Sequence, residues 1–158
     1  MGKFKQLVLT ELGETTDGYD FRVLSKPSPY KIEFEFKSEQ NTYRVSIHKH
    51  MPKEIGVTYS YKTEMGTYEL GLTGEKNQFR VIATVIDVVK HAWENREKYF
   101  EDSETIEKIG FVGTTRDGES FGGDGTARTK LYLQFINRQF PDAEINRPVG
   151  GVEIHPPQ

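Results

Sequence analysis

The residues best suited to chemistry lie in a glycine-rich loop that runs directly into a predicted helix. Five glycines fall within thirteen residues, namely Gly113, Gly118, Gly122, Gly123 and Gly125. The first turn of a helix leaves backbone N–H groups unpaired, and such groups bind anions. The pattern therefore predicts an anion-binding site, whose candidate residues are Arg116, Gly125, Thr126, Arg128, Thr129 and Tyr132.

A simpler interpretation of this loop is a surface connection, with Arg128 paired to a nearby carboxylate. The loop contains no Gly-x-x-x-x-Gly-Lys-Ser/Thr pattern, and its glycines do not give Gly-x-Gly-x-x-Gly. Ser120 lies within Gly-Glu-Ser-Phe-Gly, which has the letters of a nucleophile elbow. An elbow serine stands at a strand-to-helix turn, whereas Ser120 falls in the middle of the loop. We therefore predict no catalytic residue here.

A pair of histidines, His48 and His50, is the nearest approach to a metal site. Residues two apart on a strand point the same way, so both rings could reach one ion. A catalytic zinc has three protein ligands, and no third ligand is evident in the sequence. We expect an exposed polar strand end, with no metal and no cofactor.

Other polar and aromatic residues have two interpretations each. Glu33 and Glu35 could form a carboxylate pair, but their alternation with apolar residues favours the solvent face of a strand. Most tyrosines are expected in the core or on the sheet. An exposed cluster of Tyr59, Tyr61 and Tyr68 would instead provide a binding surface.

Composition limits the classes of function. The 158 residues carry a net charge of −3, which argues against a general nucleic-acid-binding protein. The absence of cysteine excludes disulfides, thiolate metal sites and a cysteine nucleophile. No apolar run is long enough for a signal peptide or a membrane span, so we expect no membrane partner. A single domain over 1–158 is predicted, with a frayed tail at 155–158.

Apolar periodicity predicts strands first and helices later. In the segment 30–37, Ile32, Phe34 and Phe36 share one side, the pattern of a half-buried strand. Spacings of three and four then predict a helix over 77–99, and a second over 125–139 that Pro141 ends. The predicted fold class is α+β, an antiparallel β-meander of about five to six strands packed against two helices.

Residues 18–140 resemble a family of uncharacterised bacterial and phage small proteins. The likeness is carried by Gly74–Val85 at the first helix, by Ile109–Thr114 at the following strand and loop, and by the Arg-Thr-x-Leu-Tyr motif from Arg128 to Tyr132. This chain has a longer glycine-rich loop. The resemblance implies the fold and a phage or prophage setting, but no activity. It also carries over Thr84, Arg128, Thr129 and Tyr132, in a role that could be structural.

These observations favour a non-enzymatic phage-type binding protein. It would be a small virion component or an intracellular factor, located in the host cytoplasm or the virion. Its expected partners are a host or phage protein, a second copy of itself, or a small anionic ligand. The alternative is an enzyme that acts on a phosphorylated or nucleotide substrate through the glycine-rich loop and Arg128. A nucleic-acid-binding module that stacks bases on tyrosines is a third hypothesis, which the net charge disfavours.

Overall fold

The structure, a computed structural model, describes residues 18–70, 78–112, 127–146 and 151–157. Eight strands and three helices lie in these ranges. The strands are β1 (Phe21–Ser28), β2 (Lys31–Lys37), β3 (Thr42–Met51), β4 (Glu54–Lys62), β5 (Tyr68–Leu70), β6 (Lys108–Val112), β7 (Glu144–Asn146) and β8 (Gly151–His155). The helices are α1 (Gln78–Glu94), α2 (Arg96–Tyr99) and α3 (Ala127–Gln139), and a 3-10 turn spans Ser103–Thr105.

All eight strands form one sheet. Its order is β1-β2-β3-β4-β6-β8-β7, and β5 pairs with the second half of β4. The first four strands form the predicted antiparallel meander. β4 and β6 are parallel, which requires the crossover that contains α1. The α+β class is confirmed, and the sheet has more strands than the five to six predicted.

The helices cover one face of this sheet. Period-2 alternation in β2, β3 and β4 directs every second side chain toward α1, and the register aligns Phe34, Val45 and Tyr59 across the three strands. All three are buried, with Phe34 and Val45 fully so. Removal of this apolar surface from water is the main force that holds the helices on the sheet.

Helix α1 is interrupted near the end of the predicted 77–99 segment. It ends at Glu94, and α2 begins at Arg96. The side-chain amide of Asn95 donates to the His91 carbonyl at 2.9 Å, so it satisfies one of the free carbonyls at the end of α1. The interruption allows the Tyr99 ring to lie 5.8 Å from the Phe34 ring.

Helix α3 packs against α1 through two polar contacts at its end. Lys90 Nζ donates to the Gln139 carbonyl at 2.7 Å, where the negative end of the helix dipole favours a cation. Gln139 Nε2 donates to Asp87 Oδ1 at 2.6 Å. The helix ends before Pro141, as predicted.

The C-terminal residues differ from the predicted frayed tail at 155–158. His155 belongs to β8 and pairs with Glu144, and Pro156 is buried. The sequence did not predict this pairing because β7 has only three residues, too few to show a clear alternation of apolar and polar side chains.

Candidate functional site

The predicted anion site lies mostly outside the described residues. This applies to Arg116, Thr126 and the five glycines of the loop, Gly125 among them, and to the side chains of Arg128, Thr129 and Tyr132. Ser120 also lies outside. The backbone of residues 128, 129 and 132 belongs to α3. The anion site therefore stays a prediction, as does the alternative enzymatic function that depends on Arg128.

Thr84, which the family resemblance singled out, has a structural role in the described contacts. Its side chain is fully buried within α1. The hydroxyl donates to the Arg80 carbonyl at 2.8 Å and accepts the Tyr19 backbone N–H at 2.7 Å. Thr84 therefore ties the chain that enters β1 to helix α1.

The three tyrosines lie on the sheet, as expected, and the alternative of one exposed cluster of Tyr59, Tyr61 and Tyr68 is wrong. Tyr59 and Tyr61 lie two residues apart on β4 and face the helices, where Tyr59 is only 8% exposed. Tyr68 pairs with Lys62, which is three residues from Tyr59, so it lies on the opposite face of the sheet. Strand periodicity therefore separates Tyr68 from the other two.

The side chain of His50 lies outside the described residues, so the histidine pair itself stays a prediction. No group of three or more histidine, aspartate or glutamate side chains that could hold a metal occurs in the described part of the chain. His48 pairs with Gly56, and the β3–β4 register shifts between Lys49 and Met51, beside His50.

The face of the sheet opposite the helices is the best-described candidate site, and we call it the open face. The described helices all lie on the apolar side, so no helix of the described ranges covers it. Its side chains come from alternate positions on neighbouring strands. They are Arg22, Ser25, Lys31, Glu33, Glu35, Lys37, Thr42, Arg44, Ser46, His48, Glu54, Thr58, Ser60, Lys62, Tyr68, Lys108 and Glu153.

Glu33 anchors the middle of the open face. Its carboxylate accepts hydrogen bonds from Ser25 Oγ at 2.8 Å and Ser46 Oγ at 3.3 Å, and Lys31 Nζ lies 3.7 Å away. Burial on its own raises the pKa of the Glu33 carboxyl. The Ser25 hydroxyl, the positive charges of Arg44 and Lys31, and the Ser46 hydroxyl outweigh burial and hold that pKa below its ordinary value. Glu33 is therefore an ionised structural anchor.

The two arginine side chains on the open face, Arg22 and Arg44, each contact a neighbouring side chain. Arg22 Nη2 lies 2.6 Å from Glu35 Oε1, and the Arg44 guanidinium stacks over the Tyr68 ring at 4.1 Å from its centroid. Arg44 Nε is buried and has no hydrogen-bond partner within the described part of the chain. Stacking restricts the Arg44 side chain before any partner binds, whereas Arg22 is 63% exposed and its surface ion pair restricts it only weakly.

Two glycines occupy open-face positions where β4 meets β6, so no side chain projects from the sheet at either position. Gly56 and Gly110 are direct register partners, and both are buried. The Glu54 side chain folds over Gly110, so closely that a Cβ there would collide with its carboxylate.

Glu153, on β8, contacts Lys108 at 3.3 Å and His155 at 3.2 Å. Burial on its own raises the pKa of the Glu153 carboxyl, but hydrogen bonds from His155 and Lys108 and their positive charges lower it overall.

On the opposite side of the sheet, His91 occupies an aromatic cluster that sequence reasoning did not identify. Its ring lies 5.6 Å from the Phe21 ring and 5.7 Å from the Phe34 ring, and Nε2 is 2.8 Å from the Tyr99 hydroxyl. Burial, and then the positive charge of Lys98, lower the pKa of His91, and Glu94 opposes them only in part. The imidazole is therefore neutral in the folded protein at pH 7.

This cluster predicts a loss of stability in mild acid. Above about pH 6.5, His91 is neutral in the folded and unfolded chains. Below that pH the unfolded chain takes up a proton first, so the free energy of unfolding falls by at most about 1.4 kcal/mol per pH unit until the folded pKa is passed. Urea unfolding measured from pH 7.5 to 5 should show a shallower decline in the free energy of unfolding for His91→Gln than for the parent. Parallel declines would contradict this prediction.

No protein-family model, no curated protein and no solved structure matches this chain. The family likeness in residues 18–140 therefore stays a prediction. Among the described residues, no helix combines the length and the apolar character that crossing a membrane requires.

Proposed function

We propose that this protein works by binding a protein partner, host or phage, and that the open face of the sheet is its binding surface. One observation carries the proposal: helices α1 and α3 lie on the same side of the sheet, and the other side presents ordered polar and charged groups. The phage setting comes from the family resemblance alone and is part of the proposal.

The polar contacts on the open face favour binding because they lower the entropic cost of association. Glu33 is held by two hydroxyls and Arg44 by the Tyr68 ring. Side chains that are already restricted lose less freedom when a partner binds. The half-buried positions Ser46 and Thr58 are small and leave the centre of this surface accessible.

Edge pairing with a second copy is less well supported than binding at the open face. Edge strand β1 contains Pro27, and its pairing with β2 is irregular on both sides of Ser25. Prolines and bulges protect an edge strand from adding another strand. At the other end of the sheet, β7 has only three residues. We therefore place the partner on the face of the sheet.

The test introduces a large side chain at the centre of the open face. We expect Thr58→Arg to weaken partner binding by about tenfold or more, because an arginine there holds the partner away from the sheet. Gln134→Arg, at an exposed position on α3, adds the same side chain on the opposite side and is expected to leave binding unchanged.

Partners retained by the parent protein from a host lysate would be identified, purified and titrated against the parent and both variants. Equal melting temperatures would establish that the variants fold. Equal affinities of the parent and Thr58→Arg would contradict the proposal. A monomeric protein that retains no partner from the lysate would also contradict it.

A further inference from the structure

We infer that one corner of the open face recognises an acidic, extended segment of the partner protein; this inference rests on the proposed function. Four cationic side chains define the corner, Arg22, Lys37, Arg44 and Lys62, one from each of strands β1 to β4. We call this set the basic corner.

The register brings these four residues together. Arg22 pairs with Glu35 and Glu35 with Arg44, so the two arginines are two strand spacings apart, about 10 Å. Lys37 pairs with Thr42, two residues from Arg44 along β3. Lys62 lies on β4, next to the Tyr61 that pairs with Tyr43. The lysines therefore form a second row about 7 Å from the arginines.

Charge is segregated at this corner. The whole chain has a net charge of −3, yet the basic corner has four cations, with Glu35 between the two arginines and Glu33 as the next open-face carboxylate along β2, close enough to Arg44 for the arginine to lower its pKa. Lys37 and Lys62 are exposed, and neither forms an ion pair within the described ranges. The two hairpin acids near the corner are Glu39, which contacts Arg80, and Glu64, and each lies beyond the end of its strand. These cations attract an acidic partner while the rest of the molecule repels it.

A groove of about 470 Å³ begins at the basic corner. Its lining includes Arg22 and Lys37 and continues past Tyr19 to Arg80 at the start of α1. The Arg80 guanidinium lies 4.0 Å over the Tyr19 ring and 3.5 Å from a Glu39 oxygen. The groove extends the surface in one direction, as binding of an extended chain requires, and its lining is mixed, with Asp20 and Glu35 beside the cations.

The spacing favours several carboxylates over one small anion. A single phosphate is bound by donors that converge on it, whereas the backbone positions of neighbouring residues in this set are about 7–10 Å apart on strands whose side chains run side by side. The spacing also admits a nucleic-acid backbone. A nucleic acid is disfavoured because the chain is acidic overall, and because Arg44 already occupies one face of Tyr68, the ring a base would stack on.

The experiment uses fluorescence polarisation with a short glutamate-rich peptide as the probe. We expect the peptide to bind the full-length protein, and binding to weaken as salt rises, since exposed charges are screened beyond about 10 Å at 0.1 M salt. A peptide with glutamine in place of glutamate should not bind. The double variant Lys37→Ala/Lys62→Ala should bind the acidic peptide about tenfold more weakly.

The matched control removes the same charge elsewhere. Lys53→Ala/Lys98→Ala alters two exposed lysines outside the corner and should bind the acidic peptide like the parent. The inference is overturned if the corner variant binds like the parent, or if the glutamine peptide binds equally well. It is also overturned if an oligothymidine probe binds more tightly than the acidic peptide, or if inorganic phosphate alone displaces that peptide at equal concentration.

Failure of this inference and failure of the proposed function give different results. The natural partner would be titrated against Thr58→Arg and against the corner variant. If Thr58→Arg loses binding and Lys37→Ala/Lys62→Ala keeps it, the inference of an acidic partner segment is overturned. The open face then stays the proposed binding surface. Binding kept by both variants would overturn both proposals.

Discussion

Replacing Phe34 with alanine is expected to lower the free energy of unfolding by about 3–5 kcal/mol. Phe34 is fully buried, and its ring packs edge-on against Phe21, His91 and Tyr99 at 5.7–5.9 Å between centroids. These partners belong to β1, α1 and α2, so the substitution leaves a cavity where the two helices pack against β1 and β2. Urea denaturation followed by circular dichroism measures the loss.

A register partner on β1 provides the control for Phe34. Val23 pairs with Phe34 across β1 and β2, yet Val23 is 45% exposed. Val23→Ala should therefore change the free energy of unfolding by less than about 1 kcal/mol. Equal losses at the two positions would contradict the placement of Phe34 in the core and of Val23 at the exposed edge of the same face.

The second large effect is expected at Thr84. Thr84→Val keeps the shape of the side chain but removes the hydroxyl, so the Tyr19 N–H loses its acceptor. Leaving one donor unsatisfied costs about 1–3 kcal/mol. Thr84→Ser retains the hydroxyl and should cost less. If Thr84→Val and the parent have the same melting temperature and the same free energy of unfolding in urea, the hydroxyl does not fix the chain before β1.

Local patterns predicted the elements of this fold well. The alternation of Ile32, Phe34 and Phe36 gave the correct strand and the correct buried side. The three-and-four spacing gave α1, because that spacing directly reflects the helical period. These features depend on neighbours in the chain, so the sequence alone contains them.

Non-local pairing was not predictable in the same way. The parallel contact of β4 with β6 joins strands that are separated by β5 and α1, and no local pattern specifies it. Asn95 ends α1 through a contact with His91, inside an apolar pattern that reads as one continuous helix.

The sequence predicted a site in the glycine-rich loop, which stays a prediction, and it did not point to the proposed basic corner. Arg22, Lys37, Arg44 and Lys62 are scattered along the chain among acidic residues, so no charge run reveals them. Only the cross-strand register brings them together. The sequence did contain one indication of this corner. The two-residue alternation within each strand assigns Lys37, Arg44 and Lys62 to the polar sides of their strands.

Lysine labelling of the complex tests the central claim most directly. The parent protein, alone and with its purified partner, would be acetylated briefly and analysed by mass spectrometry. The open-face account predicts protection of Lys31, Lys37 and Lys62 in the complex, and unchanged labelling of Lys53 and Lys98. Protection of Lys53 or Lys98, with Lys31, Lys37 and Lys62 labelled as in the free protein, would contradict the account.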